Sequence, residues 1–537
     1  MPSNLRAVRP WLCMIAIAIG SAFVVLPLVG APAVTRVSVV LLAGVFLAIP
    51  IVRPWRWTAA ELDALAEWRP SSRTIWLTAS VAALVLFWFV LTRFRSGEIN
   101  AVDFTVYFDR PIFQTLLGRP MFVESADDVL RAQRTYFSIH SHWILLPFAA
   151  LYAVHATPLW LLAVSVLSIV GGAIQVLRVV ERMGAGGLVA SACALAFVLN
   201  DNTARTLNYG FHPEVLYAWL IPLLLNAALA GRRLTFAAAA IACVAVKEDA
   251  FLILGAVSIT LALVRYRSMT RADRVMFLIA PPLLALANLG AYYGYGLPRL
   301  RAGGVPLYAN YWGSYGATPG RALLGMLASP WRVLTRTLTS GIVTPVLVPH
   351  LFLPLFAWRW VLGIVPMVVL YGAADNEQMR SYGIYYAIVL VPFLVIGSAF
   401  GALAVARRFW PHPARAKAVA ATMIVLGAVL AGIADAGYSL RPWKPEIAGV
   451  PRAVAQLSAE PVVFVQSGLY PHAGYESRVQ LLTPDVLADP ANAGAAVLLA
   501  PTISAWPLER DALDRLASLP SAQHTPDGLV VVRIPPR

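Results

Sequence analysis

Four groups of side chains in this 537-residue chain are of the types that do chemistry. Asp103 and Asp109, with Arg110 and Arg119, stand in one polar run, and His140 and His142 close that run. Phe211-His212-Pro213-Glu214 and Lys247-Glu248-Asp249 follow further along, each set in apolar surroundings. Tyr385-Tyr386 adds an aromatic pair just inside a later apolar run. Ionisable groups at the ends of, or inside, membrane-length segments are expensive and usually functional. A carboxylate can accept the proton of an attacking hydroxyl, and Lys or Arg can stabilise an anionic leaving group. That combination suits transfer of a sugar from a lipid-linked phosphate. A glycosidase would need two carboxylates flanking one bond, which spacing alone does not exclude.

Each group also has a plainer reading. Asp103 or Asp109 could cap a short helix or pair with Arg110 or Arg119. His140-x-His142 is a weak metal signature. Glu214, in the first turn after Pro213, favours a helix dipole whatever its role. Lys247, Glu248 and Asp249 could form a structural ion network, because adjacent helical residues face different sides. The Tyr/Trp stripe from Tyr292 to Trp312 suits an interfacial belt as well as a sugar platform. A divalent cation such as Mg or Mn is the cofactor this chemistry could use, and no ligands for it are assigned.

The elements that must position these groups are transmembrane helices. The chain is 59% hydrophobic and 13% charged, and its mean hydropathy of +0.70 is that of a polytopic membrane protein. Apolar runs of about 20 residues, enough to cross roughly 30 Å of hydrocarbon, recur from Trp11 to Tyr438. The net charge of +15 falls in short loops and reads as positive-inside topology, not nucleic-acid binding. Cys13, Cys193 and Cys243 lie in apolar runs and supply neither a disulfide framework nor a zinc pattern. The N-terminal run from Trp11 is too long for a signal core and is read as an uncleaved span.

Sidedness then follows the basic loops. Residues 1–73 read as a two-span extension, with crossings near 11–30 and 34–52 and the N-terminus cytoplasmic. A core over 74–440 follows, with outer loops at 93–142 and 297–340. Residues 143–155 are too short to span and suit an interfacial helix. Further crossings are expected near 75–92, 158–180, 187–203, 214–230, 275–296, 341–357, 361–373 (turning at Arg359), 384–406 and 418–437. Leu234 to Val264 is flanked by arginines at both ends and holds Lys247-Glu248-Asp249 in its middle. A hairpin with that triplet at its outer tip avoids placing three charges in mid-bilayer. About thirteen crossings result, and the four ionisable groups all fall on the outer side. Residues 441–537 change character: PVVFVQSG, AAVLLAP and GLVVVRIP are strand-like, and LERDALDRLASL has helical spacing. They predict a small extracytoplasmic α/β domain.

The elements DFTVYFDRPIFQTLLGRP, HSHWILLPFAALY, FHPEVL, KEDAFL and YYAIVLVPFL, in that order, resemble the DUF2079 family of predicted bacterial membrane proteins. The later QSGLYPHAGYESRVQLL also resembles a motif of that family. In layout the family is similar to the GT-C superfamily of integral-membrane glycosyltransferases, which use polyprenyl-phosphate sugars and carry a catalytic acid in the first outer loop. The resemblance implies a GT-C-like bundle acting at the outer face of the bacterial inner membrane, with membrane lipids, a polyprenyl-phosphate sugar donor and a glycan, lipid or protein acceptor as partners. It implies Asp103 as general base, with Asp109 second. It makes Lys247, similar in place to the lysine in the charged hairpin of lipid-A aminoarabinose and protein mannosyl transferases, a phosphate contact beside Arg119 and Arg110. His140, His142, His212, Glu214, Glu248, Asp249, Tyr385 and Tyr386 are then expected around the sugar. The family's acidic element commonly reads D-L-x-I-F-D-Q, whereas here six positions separate Asp103 from Asp109, Arg110 replaces the amide, and Ile384 stands where His is common. The competing reading is a non-enzymatic transporter or flippase of lipid phosphates or lipid-linked sugars.

Overall fold

The computed structural model describes residues 60–61, 63–64, 68–99, 102–124, 135–300, 309–380, 382, 384–434, 438 and 440–535. The crossings expected near 11–30 and 34–52 lie outside the described residues. Among the described residues, six helices are long and apolar enough to cross a bilayer: Ser72–Arg95, Leu159–Arg182, Ala250–Ser268, Arg271–Leu300, Leu353–Gly372 and Val391–Phe409. Gly187–Leu199 and Asp201–Asn208, bent by 41° at Asn200, make a seventh if taken as one span. Shorter apolar helices occupy Trp143–Val154, Pro213–Leu229 and Arg233–Val246, and a further helix, Pro413–Ala434, packs against Gly187–Leu199 and Val391–Phe409. The protein is a polytopic helical bundle with a small C-terminal α/β domain.

Small residues set the closest helix crossings. A Cβ on Gly172 would lie 2.2 Å from the Ala218 carbonyl oxygen, so only glycine lets the Leu159–Arg182 and Tyr217–Leu229 helices approach this closely. Farther along the same pair, Arg182 Nε donates to Asn226 Oδ1 at 2.7 Å and Asn226 Nδ2 donates to Gln175 Oε1 at 2.6 Å. Arg233 donates to Asp273 at 2.8 Å and Arg265 Nη1 to the Leu229 carbonyl at 3.4 Å. These contacts gather Arg182, Arg232, Arg233, Arg265, Arg271 and Arg274 at one end of the bundle. The other end holds residues 95–99, 102–116, 140–142, 209–214, 247–249 and 385–386.

The hairpin expected over 234–264 is present: Arg233–Val246 and Ala250–Arg265 are separate helices broken at Lys247-Glu248-Asp249. The crossings expected at 341–357 and 361–373 are arranged differently. The chain reverses at Leu351 and Phe352, both at positive φ (51° and 57°), and Leu353–Gly372 is one apolar run with Arg359 inside it. Pro349 and Pro354 bracket the reversal and interrupt the helix there. At the same level His350 Nδ1 meets Ser398 Oγ at 3.0 Å, and its Nε2 meets Asn200 Nδ2 at 3.5 Å.

The C-terminal domain is a five-stranded sheet in the order β2-β1-β3-β5-β4. Its strands are β1 Val463–Val465, β2 Val479–Leu481, β3 Ala496–Leu499, β4 Gln523–His524 and β5 Val530–Arg533. β1 runs parallel to β2 and β3, while β5 is antiparallel to β3 and β4. The Val-rich centres of β1 and β3 are fully buried, as expected of strands covered on both faces. The helices Pro445–Gln456 and Arg510–Ala517 complete the domain.

Candidate functional site

The site forms where helices end or break. Arg233–Val246 stops at Lys247, whose backbone is extended (φ −163°, ψ 155°), and the next helix begins at Ala250. The break lets three consecutive side chains take three directions. Lys247 Nζ donates to Glu214 Oε1 at 2.7 Å and lies 4.0 Å from Asp249 Oδ2. Glu248 turns the other way, accepting from the Ser141 backbone N–H at 3.0 Å and meeting His140 Nδ1 at 2.7 Å. Glu214 is held by a second break: His212 is extended ahead of the Pro213–Leu216 turn, and its Nδ1 meets Glu214 Oε2. Lys247, Glu214 and Glu248 are each at most 6% exposed, so these pairings are obligatory: a buried charge without a partner is strongly unfavourable.

Aromatic rings wall the cluster. His212 stacks on Tyr385 at 3.5 Å between centroids and 10° between planes, and Lys247 Nζ sits 5.6 Å from the Tyr386 ring centroid. Tyr386 Oη in turn lies 3.2 Å from Tyr311 Oη. His142, fully buried, stacks on His140 at 5.1 Å and lies 5.9 Å from His212. Neither ring nitrogen of His142 has a hydrogen-bond partner.

Asp103 enters this wall through Tyr209, whose hydroxyl donates to Asp103 Oδ2. Tyr209 packs edge-on against both Tyr385 (5.0 Å) and His212 (6.3 Å). Asp103 sits at the start of a π-helical segment, Val102–Asp109, the wide turn that inserts into helices often at functional sites. The same segment carries Asp109 away to a second environment. Asp109 Oδ1 accepts from Tyr152 Oη at 2.7 Å and from Tyr475 Oη of the C-terminal domain at 2.8 Å. Burial raises its pKa to about 6, against the lowering effects of the two tyrosine hydroxyls and Arg110.

The structure therefore brings Asp103, His140, His142, His212, Glu214, Lys247, Glu248, Asp249, Tyr385 and Tyr386 into one largely buried cluster, and leaves three other candidates outside it. Asp109 belongs to the seam with the C-terminal domain. Arg110, 2% exposed, is fully engaged there: it donates to Glu124 Oε2 at 2.9 Å, to the Gly474 carbonyl at 2.8 Å and to the Glu476 carbonyl at 2.6 Å. Gln114 supports Glu124 from the other side at 2.6 Å. Arg119 is exposed, with its guanidinium 5.2 Å from the centre of the Phe122 ring. Among the described residues no group of three or more His, Cys, Asp or Glu side chains is arranged to hold a metal ion.

Tyr209 and Ser141 join the site without having been singled out in the sequence, and Tyr311 joins it from the Tyr292–Trp312 stripe. Tyr209 stands two residues before Phe211-His212-Pro213-Glu214, and Ser141 lies between the two histidines. Adjacency to those motifs was the available signal.

Among solved structures, the chain is similar to ArnT from Cupriavidus metallidurans in the apo state, with 14% identity and a TM-score of 0.45, over 86% of this chain and 98% of that one. It is also similar to the arabinofuranosyltransferase AftD from Mycobacteria, with 13% identity and a TM-score of 0.42, over 88% of this chain and 40% of that one. No curated protein matches it. The sequence profile described as a predicted membrane protein, DUF2079, matches residues 98–458, more than half of the chain. The chain belongs to the DUF2079 family of predicted membrane proteins.

Proposed function

We propose that this cluster lines a cleft that transfers a sugar from a polyprenyl-phosphate-linked donor to an acceptor hydroxyl at the outer face of the bacterial inner membrane. The observation that carries this reading is the convergence of Asp103, through Tyr209, with Lys247 and the His212–Glu214 pair at the end of the bundle opposite its arginine-rich end. With the arginine-rich end cytoplasmic by the positive-inside rule, the cleft and the C-terminal domain face outward.

In the proposed reaction the acceptor O–H gives its proton to the Asp103 carboxylate as its oxygen bonds to the anomeric carbon. The bond from that carbon to the phosphate oxygen breaks, and polyprenyl phosphate leaves with the bonding electron pair. Lys247 spends one N–H on Glu214, which leaves two to meet the negative charge growing on the phosphate. Glu214 and Asp249 hold the ammonium in place. His140, His142 and the Tyr385-Tyr386 wall orient the sugar, and the unpartnered nitrogens of His142 supply hydrogen bonds for its hydroxyls.

The test uses purified full chain in lipid nanodiscs with radiolabelled polyprenyl-phosphate sugars and a cell-envelope extract as acceptor. Wild type is expected to release polyprenyl phosphate and label the extract. Asp103→Asn is expected to bind donor and transfer nothing. Full activity in Asp103→Asn, with donor lipid crossing the bilayer of proteoliposomes, would sink the transferase in favour of the flippase.

A further inference from the structure

We infer that the C-terminal domain is a clamp on the segment that carries Asp103, with Tyr475 as a positioning residue; this rests on reading Asp103 as the base. In open α/β sheets, ligands enter at the carboxyl ends of neighbouring parallel strands whose connections leave in opposite directions. The order β2-β1-β3 puts that crevice between β1 and β3. Here it is filled from within and from the membrane bundle. Gln466, just after β1, accepts from the Ala500 N–H at 2.7 Å and donates to the Ser504 carbonyl at 2.8 Å.

The turn that follows grips the end of the Ser72–Arg95 helix. A Cβ on Gly468 would lie 2.5 Å from the Gly97 carbonyl oxygen and 2.4 Å from Ile503, so the two backbones meet only because that residue is glycine. His472 Nε2 donates to the Phe94 carbonyl at 3.1 Å, and the Lys444 N–H donates to the Arg95 carbonyl at 3.2 Å. Burial pushes the His472 pKa down to about 4, so the ring stays neutral and the contact persists at ordinary pH.

The same domain takes hold again immediately after the π-helical segment. Arg110 donates to the Gly474 and Glu476 carbonyls, and Tyr475 Oη donates to Asp109. Asp103 lies between these two grips. Holding the chain at residues 94–97, ahead of this uncommon helical form, and at Asp109–Arg110, where it ends, limits where its first turn presents a carboxylate to Tyr209. A domain whose ligand crevice is spent on this contact acts on the reaction through geometry.

The test is hydrogen exchange of the full chain in nanodiscs, with turnover of radiolabelled polyprenyl-phosphate sugars measured in parallel. Tyr475→Phe keeps the ring stacked on Phe113, 4.4 Å away, and removes only the hydroxyl. It is expected to speed exchange over 102–110 about tenfold, the loss of one hydrogen bond to a carboxylate, and to lower kcat about tenfold with KM unchanged. Gly468→Val is expected to do more at 102–110 and to leave 233–246 as protected as before. Unchanged exchange over 102–110 in both variants overturns the clamp, and faster exchange with unchanged kcat overturns the positioning role. Faster exchange in a protein whose wild type transfers no sugar keeps the clamp and removes the transferase.

Discussion

Asp109→Asn isolates the charge buried at the seam between the bundle and the C-terminal domain. The carboxyl has its pKa raised from 3.8 to about 6 because burial disfavours its ionised form more than Tyr152, Tyr475 and Arg110 favour it. A shift of about 2 units is worth about 3 kcal/mol. The sign follows from linkage: with the folded pKa above the unfolded one, the stabilising proton is fully bound below about pH 4, and its contribution is lost as pH rises through about 6. Above that the native seam carries an ionised carboxylate at nearly the full penalty. Asparagine has the same shape, still accepts from both tyrosines through Oδ1, and does not titrate. The two proteins should therefore unfold together near pH 4 and separate as pH rises, with the variant the more stable by up to about 3 kcal/mol at pH 8. At roughly 2 cal/mol/K per residue, that is a few degrees in Tm for a chain of this size. Thermal unfolding in nanodiscs from pH 4 to 8 measures it. Parallel curves at all pH values would refute the buried-charge reasoning, and a variant less stable at pH 8 would show that the charge is net favourable.

Three further outcomes follow from the packing. Lys247→Met strips Glu214 of its ammonium in a buried site, and should destabilise the protein by about 3–5 kcal/mol in thermal unfolding; adding Glu214→Gln should restore part of that without restoring donor binding. Arg110→Gln removes the donors to Glu124, Gly474 and Glu476. Limited proteolysis should then release the C-terminal domain while the bundle survives. Gly172→Val forces a side chain into the Ala218 carbonyl, and should abolish accumulation of folded protein, read by size-exclusion of a fluorescent fusion.

How much of this was legible beforehand depended on whether a local rule decided it. The break at Lys247-Glu248-Asp249 could be read because arginines at both ends of a 31-residue run and three charges in its middle leave a hairpin as the low-energy path. Strands β1, β3 and β5 of the C-terminal sheet announced themselves as short apolar runs, whereas β4, two exposed polar residues long, is too brief to signal. The separation of Asp103 from Asp109 was not readable, because the register of a π-helical turn is set by tertiary contacts at Tyr209 and Tyr475 and not by spacing. Arg110 and Arg119 suited a phosphate by charge alone; nothing local showed that Glu124 and two carbonyls from residues more than 360 positions away take up the first. The reversal at Leu351 and Phe352 was hidden for a related reason, since neither residue type favours positive φ and only the flanking prolines hinted at a break.

The most direct measurement is a structure of the protein in nanodiscs with a non-transferable C-glycoside analogue of a polyprenyl-phosphate sugar. The lipid phosphate should lie within hydrogen-bond distance of Lys247 Nζ, with the anomeric carbon facing Asp103 and the ring against Tyr385 and Tyr386. A phosphate seated instead among Arg232, Arg233 and Arg271 at the far end of the bundle, with the cleft around Lys247 empty, would contradict it.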